Sequence, residues 1–179
     1  MLPERKTIRL DHSRYQGRRI YFLTFCCEER RRVFADTAQA VLMILALKRV
    51  SEAEGFRVHA YCVMMDHVHV VAEGSREESD VVRFVKAFKQ LTAFHYKAET
   101  GGRLWQKKYY DHILRAADSL NAVVWYVWLN PVRAGLCADA RSYPHSGSMT
   151  MDWNGKPKSD VAWAPPWKSQ DAKQEEERT

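Results

Sequence analysis

The amino-acid sequence predicts an α+β domain: an antiparallel sheet with helices on one face, followed by a further, aromatic-rich helix. Three observations lead there. Short runs of β-branched and aromatic residues, at 20–27, 56–64, 68–73 and 104–114, read as strands. Between them lie two longer stretches whose apolar residues recur every three or four positions, the spacing of a helix that buries one face. The second and third strand runs are separated by little more than Met65, Asp66 and His67, which fits a hairpin and hence antiparallel pairing.

Taken in order, residues 1–18 are polar and basic (Arg5, Lys6, Arg9, Arg14, Arg18) and read as an extended arm. Ile20-Tyr-Phe-Leu-Thr-Phe-Cys-Cys27 reads as a buried strand, closed by the charged run at 28–32. Asp36 or Thr37 can cap the first helix. Val41, Ile44, Leu45 and Val50 give that helix an apolar face, and Gly55 suits its C-terminus. After the hairpin, residues 74–79 form a loop, and 80–98 are helical through Val81, Phe84, Val85, Phe88, Leu91 and Phe94, up to the stop at Gly101-Gly102. Residues 104–114 make a final strand or extended segment. Asp118 or Ser119 caps a last helix that runs to Trp128 or Leu129, where Pro131 forbids regular continuation. The first six elements follow the ferredoxin-like β-α-β-β-α-β order. The expected divisions are an arm at 1–18, a domain at 19–147 and an irregular tail at 148–179. The tail should pack in part through Trp153, Trp163 or Trp167.

The chain has 179 residues, 46% of them hydrophobic and 28% charged, enough for one domain with a real core. Its net charge is +6, unevenly placed. From residue 155 onward, Lys156, Lys158, Lys168, Lys173 and Arg178 balance Asp160, Asp171, Glu175, Glu176 and Glu177, so the whole excess lies in residues 1–154. A basic body suits a polyanion, most commonly nucleic acid. Cys26, Cys27, Cys62 and Cys137 have no C-x-x-C spacing, which argues against a cysteine zinc site. With no secretory signal and no apolar stretch of membrane-spanning length, a cytoplasmic, reduced protein is expected.

The most informative residues are His67-Val68-His69, inside the apolar run from Tyr61 to Val71. On a strand, side chains i and i+2 leave the same face, so both imidazoles point together. Two converging neutral imidazoles make half of a divalent metal site; the plain alternative is two histidines satisfied by hydrogen bonds. Tyr126 and Asn130 are four residues apart on the last helix and share one of its faces. A tyrosine can attack a phosphodiester and form a phosphotyrosine, helped by a cation that polarises the phosphate. His67 and His69 could hold such a cation, with Asn130 as an oxygen ligand. Imidazole and oxygen donors fit Mn²⁺ or Mg²⁺.

Three blocks carry a wider resemblance: Val63-Met-Met-Asp-His-Val-His-Val70, Leu104-Trp-Gln-Lys-Lys-Tyr-Tyr-Asp-His-Ile-Leu-Arg115 and Val124-Trp-Tyr-Val-Trp-Leu-Asn-Pro-Val-Arg-Ala-Gly-Leu136. With these the chain resembles the REP-associated tyrosine transposases, single-tyrosine members of the His-hydrophobic-His (HUH) transposases. The resemblance makes 19–147 the transposase domain and implies a ferredoxin-like fold. It implies metal-dependent cleavage and rejoining of single-stranded, hairpin-bearing DNA through a 5′-phosphotyrosine. It places His67 and His69 on the metal-binding pair, Tyr126 on the nucleophile and Asn130 on a third, polar ligand. It also implies a monomer in a bacterial cytoplasm, near the nucleoid. Tyr109 and Tyr110 compete with Tyr126 by chemistry but fall in the Trp-Gln block, where packing or base stacking is expected.

Expected phosphate contacts are Arg14, Arg18, Arg19, Lys86, Lys89, Lys107, Lys108, Arg115 and Arg133, with Trp105, Tyr109 and Tyr110 stacking on unpaired bases. Asp111 and His112 are expected to order local structure. Two alternatives stand beside the transposase reading. One is a non-catalytic binder of structured single-stranded nucleic acid; the other is a metal phosphodiesterase that uses water.

Overall fold

A computed structural model describes residues 15–168 of the chain. Arg14 and the rest of the basic arm before Tyr15 lie outside the described residues, as does the end of the tail after Lys168. The elements run β1 (Ile20–Cys26), α1 (Thr37–Glu54), β2 (Phe56–Val63), β3 (His67–Gly74), α2 (Val81–Thr100), β4 (Tyr110–Ile113), α3 (Leu120–Trp128), α4 (Asn130–Arg133) and β5 (Ser146–Gly147), with short 3-10 turns after β1 and before β5. The sheet order is β4-β1-β3-β2-β5, and every pairing is antiparallel. The first six elements therefore follow the expected β-α-β-β-α-β order, compatible with a ferredoxin-like arrangement.

Local signals explain the boundaries. Asp36 caps α1 through Ala38 N, and Asp80 caps α2 by accepting from Val82 N and Arg83 N. Gly55 ends α1 in the left-handed region at φ 71°, where a side chain would be strained. Ser119 caps α3. Pro131 does not stop the chain from turning again. It sits in the first turn of α4, which tolerates its missing N–H, and a break at Leu129 separates the two helices.

Strand alternation sorts side chains between two cores. Tyr21, Leu23 and Phe25 of β1, with Val68, Val70 and Ala72 of β3, pack under α1 and α2 against Met43, Leu47, Phe84 and Phe88. Phe22 of β1, Ala60 and Cys62 of β2 and Val71 of β3 meet α3 on the opposite face. The expected helices-on-one-face arrangement holds for α1 and α2 only. Helix α3 is buried all round, from Ala122 to Trp128, because the chain after α4 returns over its outer side. Trp125 Nε1 donates to Pro157 O at 2.7 Å, Trp128 Nε1 donates to Gly147 O at 2.9 Å, and Trp153 packs on Trp128. That return also supplies β5, which sequence patterning did not foretell. The predicted strand at 104–114 is mostly extended loop. Tyr110–Ile113 forms the regular pairing with β1, while Trp105 makes an isolated antiparallel bridge to Cys27 at its end as its side chain enters the first core.

Candidate active site

His67 and His69 lie on β3, on the α3 face of the sheet, as their spacing requires. Register places Cys26 opposite His67 and Thr24 opposite His69. Opposite residues of an antiparallel pair share a face. Thr24 Oγ1 therefore meets His69 Nδ1 at 2.8 Å. At the hairpin turn, Asp66 Oδ1 meets His67 Nδ1 at 2.5 Å, while Arg30 Nε pairs with Asp66 Oδ2 at 3.0 Å. Arg30 reaches Asp66 from a turn in which Glu29 and Arg30 both have φ 54°, a left-handed conformation unusual for side-chain-bearing residues. The hydrogen bond from His67 holds the Asp66 carboxyl below its usual range, and Arg30 adds to this against the cost of burial. Ionised Asp66 can only accept, so the His67 proton belongs on Nδ1 and Nε2 carries the free lone pair. Burial pushes His69 well below the ordinary imidazole range, and positive charge on His67 when it is protonated, and on Lys168, Arg133 and Arg30, acts in the same direction. His69 is thus held neutral, the form that binds metals.

The two Nε2 atoms lie 3.1 Å apart. Two imidazoles bound about 2.0–2.1 Å from one ion, at angles of 90–109°, would be about 2.9–3.4 Å apart, so the pair fits a shared cation. Their Nδ1 atoms are already oriented by Asp66 and Thr24, the supporting contacts that metal-binding histidines need. Among the described residues no third His, Cys, Asp or Glu joins the pair. Further ligands would come from an amide, a phosphate or water.

Both histidines open on a cavity of about 580 Å³ that is also lined by Thr24, Cys26, Arg30, Gln106, Tyr110, Tyr126, Asn130, Arg133, Trp167 and Lys168. The size suits a small polar group with its neighbours. Tyr126 enters from α3. Its ring centroid lies 6.3 Å from that of His69, and its hydroxyl is buried without a hydrogen-bond partner among the described residues. Phe22 and Trp163 meet its ring edge-on, and the Arg133 guanidinium lies over the ring at 4.4 Å. Pro131 explains the position of Asn130. Proline has no N–H to give the Val127 carbonyl, so Asn130 Nδ2 donates to it at 3.2 Å, and to Tyr126 O at 2.9 Å. Arg133 also donates to Tyr126 O. The amide nitrogen of Asn130 is thus committed to the helix, which leaves its oxygen as the atom able to face the cavity.

The remaining predicted contacts separate clearly. Arg18, Arg19, Lys86, Lys107, Lys108, Arg115 and Arg133 are exposed, with Arg18 paired to Glu77. Two expectations are corrected. Trp105 is only 5% exposed, packs on Phe25, Phe34 and Phe88 and donates to Thr92, so it belongs to the core and offers no face to a base. Lys89 Nζ is spent on the carbonyls of Gln106 and Lys107, where it pins the Trp-Gln segment to α2. Tyr109 packs toward the first core, away from the histidines, whereas Tyr110 is half exposed and lines their cavity. His112 pairs with Asp118 and so orders the β4–α3 connection. Sequence reasoning missed Thr24, Arg30 and Asp66 as site residues and named Trp163 and Trp167 only for packing of the tail. Only Thr24 and Asp66 carried a signal: Thr24 shares the inward parity of Phe22 on β1, and Asp66 immediately precedes the first histidine.

Residues 17–129 match the family described as Transposase IS200 like. The chain belongs to that family. It is 26% identical over 147 residues to the REP-associated tyrosine transposase of Escherichia coli strain K12, an alignment covering 75% of this chain and 84% of that protein. The fold superposes with a TM-score of 0.62 on a solved REP-associated tyrosine transposase bound to a REP hairpin. The two are 20% identical, and the match covers 88% of this chain and 98% of the other. No helix among the described residues of this transposase-family chain is long and apolar enough to cross a membrane.

Proposed function

We propose that this chain is a divalent-metal-dependent transposase that nicks and rejoins single-stranded, hairpin-bearing DNA of the REP type, with Tyr126 as nucleophile. One observation carries the reading: a buried phenol with no hydrogen-bond partner among the described residues shares a cavity with two oriented imidazoles of the same chain. The relatives support the substrate class, since the solved neighbour is described as bound to a REP hairpin. His67 and His69, with the Asn130 oxygen, would hold Mg²⁺ or Mn²⁺. When bound, the cation would neutralise charge on the scissile phosphate.

The side chains divide the remaining work. Arg133 and Lys168, whose charged groups lie over the Tyr126 ring at 4.4 and 5.5 Å, add positive charge where phosphate would sit. The Tyr126 oxygen attacks phosphorus, the bond to the 3′-oxygen breaks, and that oxygen leaves as a hydroxyl with the proton the phenol gives up. A 5′-phosphotyrosine remains. A second 3′-hydroxyl then attacks it, re-forms a phosphodiester and returns the proton to Tyr126. One ester replaces another at each step, so no energy source is required. The phenol and the imidazoles come from one chain, which supports a monomeric enzyme.

The test is incubation with hairpin oligonucleotides plus Mn²⁺ or Mg²⁺ and capture of tyrosine-linked DNA by mass spectrometry. The adduct should map to Tyr126, and it should vanish in Tyr126→Phe and persist in Tyr110→Phe. Cleavage without any protein-linked product would favour a phosphodiesterase that uses water. Binding without cleavage would leave only a nucleic-acid binder.

A further inference from the structure

Phe22 of β1 and Tyr110 of β4 stand diagonally on neighbouring strands, because register pairs Phe22 with His112 and Thr24 with Tyr110. One indole lies on both. Trp167 stacks on Phe22 with centroids 5.6 Å apart and planes 25° apart, and on Tyr110 at 5.4 Å and 31°. Near-parallel rings on a sheet surface are also how proteins hold unpaired bases. Phe22 in turn lies 5.4 Å from the His69 ring and 5.7 Å from the Tyr126 ring, centroid to centroid. The indole thus rests one ring away from both halves of the proposed chemistry.

Trp167, like Trp153, is attached differently from the other four tryptophans. Trp105, Trp125, Trp128 and Trp163 each donate the indole N–H to a protein oxygen. Among the described residues Trp167 has no such bond, so its ring is held by stacking. A flat ring held by stacking can be exchanged for another flat ring at little net cost, because the apolar area uncovered by one is covered again by the other. Gln106 lines the same cavity and offers an amide donor and acceptor beside Tyr110, and Lys168 follows Trp167 with a positive charge.

We propose that Phe22 and Tyr110 form a stacking platform for one unpaired nucleobase next to the cleaved phosphate, and that Trp167 occupies this platform in the free protein. This rests on the reading of Tyr126 and the histidine pair as the cleavage site, but its test needs no cleavage. The full chain is mixed, in EDTA, with DNA hairpins whose unpaired flank carries 2-aminopurine at successive positions. Fluorescence quenching should pick out one flank position. Trp167→Ala should tighten binding of the flanked hairpin about tenfold, and Tyr110→Ala in that background should reverse the gain, in line with the value of one stacked base. Tyr110→Phe should retain it, and a hairpin without a flank should bind all variants alike. Equal affinity of Trp167→Ala and the Trp167→Ala/Tyr110→Ala double variant, or quenching at no position, overturns the platform. Loss of the covalent adduct in the metal-containing assay is a separate result and bears on the chemistry alone.

Discussion

Replacing Tyr126 with phenylalanine should raise the stability of the protein while removing its proposed chemistry. The Tyr126 hydroxyl is buried and unpaired among the described residues, and an unsatisfied buried polar group costs about 1–3 kcal/mol. Phenylalanine keeps every ring contact, namely those to Phe22, Trp163 and His69 and the Arg133 guanidinium over the face. The Tyr126 side chain borders the cavity, and the low end of the range is taken. The expected gain is about 1 kcal/mol, or roughly 2–4 °C in Tm for a chain of this size. Tyr143 supplies the internal control. Its hydroxyl donates to Val63 O at 2.9 Å, so Tyr143→Phe leaves that carbonyl short of a donor and should lose about 1 kcal/mol. Thermal unfolding of the two variants beside the parent, together with adduct formation on hairpin DNA, reads both effects. A Tm that falls in Tyr126→Phe as it does in Tyr143→Phe would mean the phenol is a structural group. An adduct that survives would remove it from catalysis.

Four further outcomes follow from the geometry. Replacing His67 and His69 together with alanine should leave hairpin binding within a few-fold of the parent and stop cleavage; metal-dependent cutting at the parental rate would refute the paired-imidazole site. Asp66→Ala frees His67 Nδ1 and Arg30 at once, and should raise the metal concentration needed for half-maximal adduct formation about 10–100-fold while excess metal restores the rate; an unchanged titration would show that Asp66 does not support the ligand. Burial alone would raise the Asp118 carboxyl, but hydrogen bonds from Arg115 N, Trp163 and His112 outweigh it and hold the group below its ordinary value. Its folded-state pKa therefore lies under the unfolded value of about 3.9, so the stability it contributes is present above that pH and is lost as pH falls through the folded value. Asp118→Asn should then be less stable than the parent near pH 6, and the gap should close below about pH 4; a gap independent of pH would sink the assignment. At Gly74 a side chain would be driven into the Gly17 carbonyl and against Ser79, so Gly74→Ala should cost about 1–3 kcal/mol in denaturant unfolding, and a neutral result would show that the Gly17 turn yields.

The legible parts of this fold are those that local chemistry dictates. Asp36 and Ser119, each one of two candidate caps, and Gly55 marked helix ends because unpaired backbone groups there need a side-chain oxygen or a left-handed residue. Parity along β3 put His67 and His69 on one face. The segment at 104–114 read as a strand or an extended segment and is extended before its strand at Tyr110–Ile113, because aromatic content signals burial as much as strand pairing. Trp105 satisfies its pattern by entering the first core, and Lys89 turns inward to serve the carbonyls that this bend leaves open. The proline after Asn130 looked like a terminator, yet a first-turn position accommodates it, and the asparagine amide repairs the missing bond.

The sequence by itself determined the order of the first seven elements, the shared face of the two histidines and the shared helical side of Tyr126 and Asn130, since each depends only on a backbone period. Tertiary structure decided the rest. It decided that β1 would set Thr24 opposite His69, that α3 would cross the sheet face opposite α1 and α2, and that a segment about 40 residues after Tyr126 would lay Trp163 and Trp167 over the site. Those contacts join residues far apart in the chain. They arise from the burial of two apolar faces at once, and no local pattern records which distant side chain will meet them.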